Sequence, residues 1–530
     1  MKKTILFFMT GLLVLSFFSG CNGAKKDTVN TVKEPVVFKL INGSEPASLD
    51  PSLIQGVPEN RIYQSLFEGL VSYNPETARA IPGVAKSWTV SDDNTVYTFN
   101  LRKSKWSNGT KITAQTFVDS WTRTLDPNTA APYAWFPSMF LKGAGDFNAG
   151  NATADTLGVK AIDEYTLEVT LVGPLPYALD AFAHYSFGIA PLEVVKEFGD
   201  KWTNIDNIVT NGAFTLKEWV PQDKLVVEKN PNYWDAENVK IDQVVYLPVD
   251  DNNTGYNMFL NGEVDWMTTV PSDRMKEALL RDDVIISPNL ATYYYVLNNK
   301  IKPLDDVRVR KALSMAIDRK TLTERIGQAG QIPSAAMVPS MAGYDALKGN
   351  TLDVAKAKEL LAEAGFPNGE GFPVLPVLYN TSEGHKKMAE FIQSQWETNL
   401  GINVTLENQE WQTFLAAKNT HDFSIARSGW GGDYQDPNTF LDMFVSGAAM
   451  NDMQYENPEY DALIAKAATM KAGADRFQAL KDAEEMLVTR DQALIPLYTY
   501  VKVNCIDTNK WGGWAPNVLD LHPPRQVYKK

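Results

Sequence analysis

Two periodicities interleave from residue 36 to the C-terminus, and that interleaving limits the fold more than any other feature. YTLEVTL (165–171) alternates apolar and polar side chains strictly, the period of a half-buried strand. DVAKAKELLAEAG (353–365) instead spaces its apolar residues as a helix does, with Asp353 as N-cap and Gly365 just past the end. Both patterns recur without internal repeats. VVFKLING, TVYTFNLRKSKWSNGT, TYYYVLNN and FSIARSGW read as strands. ENRIYQSLFEGLVSY, TAQTFVDSWTRTLDP and DVRVRKALSMAIDRKTLTERIG read as helices, the last capped by Asp305 or Asp306 and ended at Gly327 or Gly330. VTLENQEWQTFLAAK pairs a strand with a helix. The reading is α/β, and 530 residues suffice for about three domains of roughly 150 residues. So many elements exceed what one sheet is expected to hold, so several lobes are expected. No low-complexity tract marks their boundaries.

The first residues describe export. MKK supplies a positive start and ILFFMTGLLVLSFF (5–18) an apolar core too short to be a membrane span, followed by Ser19, Gly20 and Cys21. Residues 1–20 are therefore expected to be a signal peptide. Cys21 resembles the acylated cysteine of the bacterial lipobox, with Phe18 where leucine is usual. The alternative is plain signal cleavage. Polar residues 21–35 then form a tether. With Cys21 lipidated, only Cys505 remains, so an exported chain would fold without an internal disulfide and rely on its core.

Several chemistries are missing. The formal charge is −14, against nucleic-acid binding, which needs a basic face. No GxxxxGK[ST] loop, HExxH, paired CxxC or GxSxG motif occurs, and His184, His385, His421 and His522 lack local metal-ligand spacing. A pair of carboxylates meeting in space, as in a retaining glycosidase, stays formally open.

ARSGWGGDYQDPNTF (426–440) concentrates the remaining chemistry. Asp436-Pro437-Asn438 precedes an apolar run, the expected start of a helix with Asp as N-cap and Pro behind it. A calcium loop would need more oxygen ligands than DYQDPN supplies. Asp433, in a glycine-rich loop beside Trp430, has no such local task. It is either a solvated turn residue or the partner of a cation.

GSEPASLDPSL, LRKSKWSNGTKITAQTFVDSW, NIVTNGAFTLKEW, NPNYWD, DDVRVRKALSMAID and LLAEAGF occur in this order, with PNTAAPYA, LYNTSEGHKK, NQEWQTFL and ARSGWGGDY among them. From about residue 36 onward the chain resembles the extracytoplasmic solute-binding proteins of peptide ABC transporters, the oligopeptide-binding members above all. The resemblance implies a periplasmic-binding-protein-like fold of two hinged α/β lobes with an extra inserted lobe. Lobe I would comprise 36–67, 193–291 and 502–530, the inserted lobe 68–192, and the second main lobe 292–501. It implies a monomeric, lipid-anchored receptor in the cell envelope, without cofactor, metal or enzymatic activity. The receptor would enclose short peptides and deliver them to a permease served by a separate ATPase. A specialised ligand (murein peptide, signalling peptide or haem) is the alternative.

The resemblance also implies site residues. Asp433 would pair with the peptide's α-amino group, a cation at neutral pH that tolerates enclosure only beside an acid. Gly429 and Gly431 would admit the peptide backbone to the strand, with Val57 and Tyr133 touching it and Trp430 and Trp411 lining side-chain pockets or simply packing in the core. Arg427 and His385 would meet the C-terminus of longer ligands, His385 alternatively being a surface residue. Lys418 stands where many relatives have Arg, keeping the charge without the fork. Gly327 replaces a Lys, with Arg325 nearby, and Gln55 and Thr269 replace a Glu and an Asn. Ala291 and Gly431 stand where some relatives carry two cysteines.

Overall fold

Strand Val37–Ile41 pairs in parallel with Gln243–Leu247, and from this pair one mixed sheet extends across the molecule. The computed structural model describes residues 34–471 and 473–530, so the signal peptide, Cys21 and almost all of the tether lie outside the described residues. Val36–Lys530 forms one compact unit.

The main sheet has eleven strands, more than the mixed pattern led us to expect of any one sheet. Two long strands make this possible. Val284–Leu297 and Leu494–Ile506 run antiparallel, each serving two neighbourhoods in turn. At one end Leu494–Ile506 meets Trp266–Met267; at the other, Val284–Leu297 meets Ile425–Gly431. Their register shifts between the pairs Pro288–Val501 and Thr292–Thr499. A separate four-stranded antiparallel sheet gathers Ala85–Val90, Val96–Leu101, Val159–Asp163 and Thr166–Thr170. Its alternating burial explains why TVYTFNL and YTLEVTL were legible as strands.

Locally capped helices follow their patterns. Ala114–Leu125 carries a Thr113/Thr116 capping box and Val354–Glu363 begins where the Asp353 carboxylate accepts the Lys356 N–H. Two helices differ from expectation. Val57–Leu66 stops at Leu66, and Val71–Tyr73 becomes a strand. The single helix expected over 306–327 is broken into Val307–Met315, Arg319–Leu322 and a wider turn at Thr323–Gly327. The cause is a second cap: Asp318 accepts from the Thr321 N–H at 3.0 Å and its Oγ1 at 2.6 Å, restarting the helix.

Candidate functional site

Strand Ile425–Gly431 has two different edges. Along one, all seven residues pair with Ala291–Leu297. Along the other, Leu375–Asn380 pairs only with Ile425 and Ala426 before diverging toward Val404–Gln409. Arg427 to Gly431 therefore offer a strand edge with no strand partner among the described residues, a template for one more extended chain. The side chains keep the approach open on one face. A Cβ at Gly429 would stand 3.0 Å from the Tyr500 hydroxyl and 3.1 Å from the Arg427 guanidinium, whereas one at Gly431 would meet open space.

At the C-terminal end of this edge sits Asp433. Its backbone N–H donates to Thr439 Oγ1 at 3.0 Å, and its side chain is 12% exposed. Oδ1 lies 3.3 Å from His184 Nε2, while Oδ2 is buried without a hydrogen-bond partner. The Ser186 N–H donates to His184 Nδ1 at 3.3 Å, which turns Nε2 toward the carboxylate. His184 thus orients Asp433. Burial, and after it the Asp433 charge, push the hydroxyls of Tyr73, Tyr133 and Tyr185 well above the usual phenol range. Tyr133 stacks at 6.4 Å on Trp430, whose indole N–H donates to the Thr439 carbonyl. A cation entering here would find aromatic walls and one waiting carboxylate oxygen.

Asp436 caps the short helix Pro437–Phe440, as expected, by accepting from the Asn438 N–H at 3.0 Å. Its carboxylate also takes both arms of Arg476, at 2.8 and 2.9 Å, and Arg476 is 1% exposed. Nothing in the local sequence points to that arginine, forty positions downstream.

The other end of the edge is cationic. Half-buried Arg427 donates to Asn380 Oδ1 at 3.2 Å and to the Tyr500 hydroxyl at 2.9 Å, with its Cζ 4.9 Å from the centre of the Tyr293 ring. It forms no ion pair among the described residues, and its Nε is buried without a partner. Tyr293 links it to His385 Nδ1 at 3.3 Å. Burial, reinforced by Arg427, holds His385 well below the usual imidazole range. The Lys418 ammonium lies 2.8 Å from buried Asp452 and donates to Ser428 Oγ at 3.2 Å, so its charge is already matched.

Val57 is 57% exposed at the start of its helix. Neighbouring Gly56 approaches Trp411, since a Cβ there would stand 3.2 Å from the indole. Gln55 lines a cavity of about 480 Å³ with Asn419, Asn451 and Gln454. Gly327 packs tightly, a Cβ there lying 2.5 Å from Gln331. Ala291 and Gly431 are direct strand partners.

Residues 79–452 match the family described as bacterial extracellular solute-binding proteins, family 5 Middle. The periplasmic oligopeptide-binding protein OppA of Escherichia coli is 40% identical over 514 residues, 94% of this chain and 93% of its own. The OppAIV oligopeptide-binding protein of Borrelia burgdorferi superposes with a TM-score of 0.91 at 41% identity, covering 93% of this chain and all of its own. Two structures of the murein tripeptide-binding protein MppA separate conformation from sequence. At the same 36% identity and 94% coverage of this chain, one, from Escherichia coli and itself 99% covered, scores 0.89. The unliganded open form, 98% covered, scores 0.63. The present structure does not have that open shape, and the chain belongs to the bacterial extracellular solute-binding proteins of family 5.

Proposed function

We propose that the protein is the receptor of a peptide ABC importer, binding short peptides by their backbone and termini. The observation that carries this is one strand segment with a free edge, an unsatisfied acid at one end and an arginine without an acid at the other. The α-amino group would sit against Asp433 Oδ2, the backbone along Arg427–Gly431, and the carboxylate toward Arg427, with neutral His385 as a further donor. Trp430, Trp411, Tyr133 and Val57 would bound the side chains. Lys418, already paired with Asp452, would keep Ser428 and the strand in place. Main-chain pairing gives affinity with little dependence on sequence.

Lobe I (36–67, 193–291, 502–530) and the lobe formed by 292–501 would close around the peptide, with 68–192 as the inserted lobe. Two observations support this division: the strands Val284–Leu297 and Leu494–Ile506 span both main segments, and a self-contained sheet lies within 85–170. Cys21 would carry the lipid holding a monomeric receptor at the cell envelope, beside its permease. Binding rather than catalysis is the role this reading gives the site, since a free strand edge with an acid and a base at its two ends matches a peptide's backbone and termini.

Calorimetric titration tests the assignment. Trialanine is expected to bind, and its N-acetyl form at least 100-fold more weakly, a loss of about 3 kcal/mol; the C-terminal amide of penta-alanine, long enough to reach Arg427, is expected to bind about 10-fold more weakly than penta-alanine, a loss of about 1.4 kcal/mol. Equal binding of the acetylated peptide would sink the amine role of Asp433.

A further inference from the structure

A second cavity lies along the long strands, bordered by Ile286 and Leu290 of one and Thr499 and Val501 of the other. Ile332 and Pro333 pair with Thr499 and Tyr498 on the edge of Leu494–Ile506 that faces away from Val284–Leu297. Beside them opens a groove of about 1120 Å³. Two strand spacings, roughly 10 Å, separate that edge from the strand bearing Arg427. The volume lies just above the usual range for small-molecule sites, roughly 300–1,000 Å³.

The lining has three parts. Ile286, Ile332 and Leu352 are 45%, 60% and 47% exposed, large aliphatic side chains left in water around one concavity. Asn289 lies among the lining residues at 7% exposure: its Nδ2 donates to the Val518 carbonyl at 3.2 Å, which fixes the amide, and its Oδ1 is buried without a partner. That oxygen calls for an O–H or N–H donor. The charged groups are unequal. Asp318 is committed to Thr321, and Arg319 to the Pro496 and Ser314 carbonyls. Lys320 has only a 3.9 Å pairing with exposed Glu324, and Lys348 forms no ion pair among the described residues. Two available ammonium groups therefore edge an apolar groove with one unsatisfied acceptor.

We propose that this groove is a second ligand site, for small amphipathic carboxylates whose apolar body carries a hydroxyl or amide N–H. The aliphatic walls take the body, Asn289 Oδ1 accepts from the donor, and Lys320 and Lys348 meet the carboxylate. The peptide edge contributes neither cation; Tyr500, whose hydroxyl accepts from Arg427, also borders the groove, so the two sites are neighbours with separate cations and the two ligands can be bound together.

The test is titration calorimetry of the folded protein with 10-hydroxydecanoate below its micellar range, against decanoate and decyltrimethylammonium. One molecule of 10-hydroxydecanoate is expected per chain, with decanoate three- to tenfold weaker and the ammonium amphiphile at least tenfold weaker. Leu352→Asp should weaken 10-hydroxydecanoate at least tenfold, and K348E about threefold; both side chains are exposed, so neither change disturbs the core. Saturating trialanine should leave the stoichiometry at one. Failure to bind at millimolar concentration, equal binding of the ammonium compound, unchanged binding by Leu352→Asp, or full displacement by trialanine would each overturn the proposal.

Discussion

Asp433 and Asp436 share a loop, a charge and a degree of enclosure, yet the protein treats them oppositely. Asp436 has both oxygens on Arg476 and caps a helix, so its carboxylate is saturated by the fold itself. Asp433 meets one imidazole and keeps an oxygen bare. The cations repeat the contrast: Lys418, on the helix Trp411–Asn419, is matched by Asp452, whereas Arg427, on the strand, has tyrosines and an amide but no acid. A charge whose partner is built in stabilises the fold; a charge whose partner is missing is held ready for something that arrives later.

This contrast can be broken by mutation, and the largest effect should come from the saturated acid. Asp436→Ala strands a buried guanidinium and should destabilise the protein by about 3–5 kcal/mol in denaturant unfolding. A loss below about 1 kcal/mol would show that Asp436 is no more structural than Asp433. Asp433→Asn should do the reverse, lowering trialanine affinity by about 100-fold, or about 3 kcal/mol, while the peptide-free protein melts at the same temperature or higher. Parallel losses of affinity and stability would erase the distinction. Arg427→Met should cost about tenfold in peptide affinity, about 1.4 kcal/mol, with unfolding unchanged.

The smallest effect belongs to a third acid of the loop. Burial, with Asp433 and Asp436 nearby, pushes Asp442 up to about 8, against the opposing hydrogen bond from the Tyr434 hydroxyl. The folded state then holds a proton that the unfolded chain has lost, so stability is greatest below the ordinary carboxylate range and falls as pH rises toward 8. Between pH 6.5 and 7.5 Asp442 alone should remove about 1 kcal/mol. Asp442→Asn should flatten that part of the stability profile, and an unchanged slope would place the proton elsewhere.

What was legible in the sequence was local. Asp353 and Gly365 bracket their helix because caps act within a turn, and strict alternation exposes Thr166–Thr170. Asp318 was misread because a cap inside a periodic run looks like one more polar helix residue. Half of Val284–Leu297 was invisible: Pro288 and the polar residues beside it argue against a strand, which survives there through a register shift. In the site, Asp433, Arg427 and the glycines stood out by composition. Their partners did not, because His184 and Tyr500 approach from remote parts of the chain, and no spacing rule connects them.

The register shift has a mechanical side. From Pro288 to Thr292 one strand advances four residues while its partner advances only two, from Val501 to Thr499. The ladder is slack at that point, and Pro288 has no N–H to lend it. A second, smaller shift follows between Tyr293 and Tyr294; away from these two places a bend must break regular rungs, whereas here it mainly redistributes torsion among residues already out of step. The two strands that make the sheet continuous thus also contain a compliant joint. Stiffness in such a molecule is set by where rungs are missing as much as by how many there are.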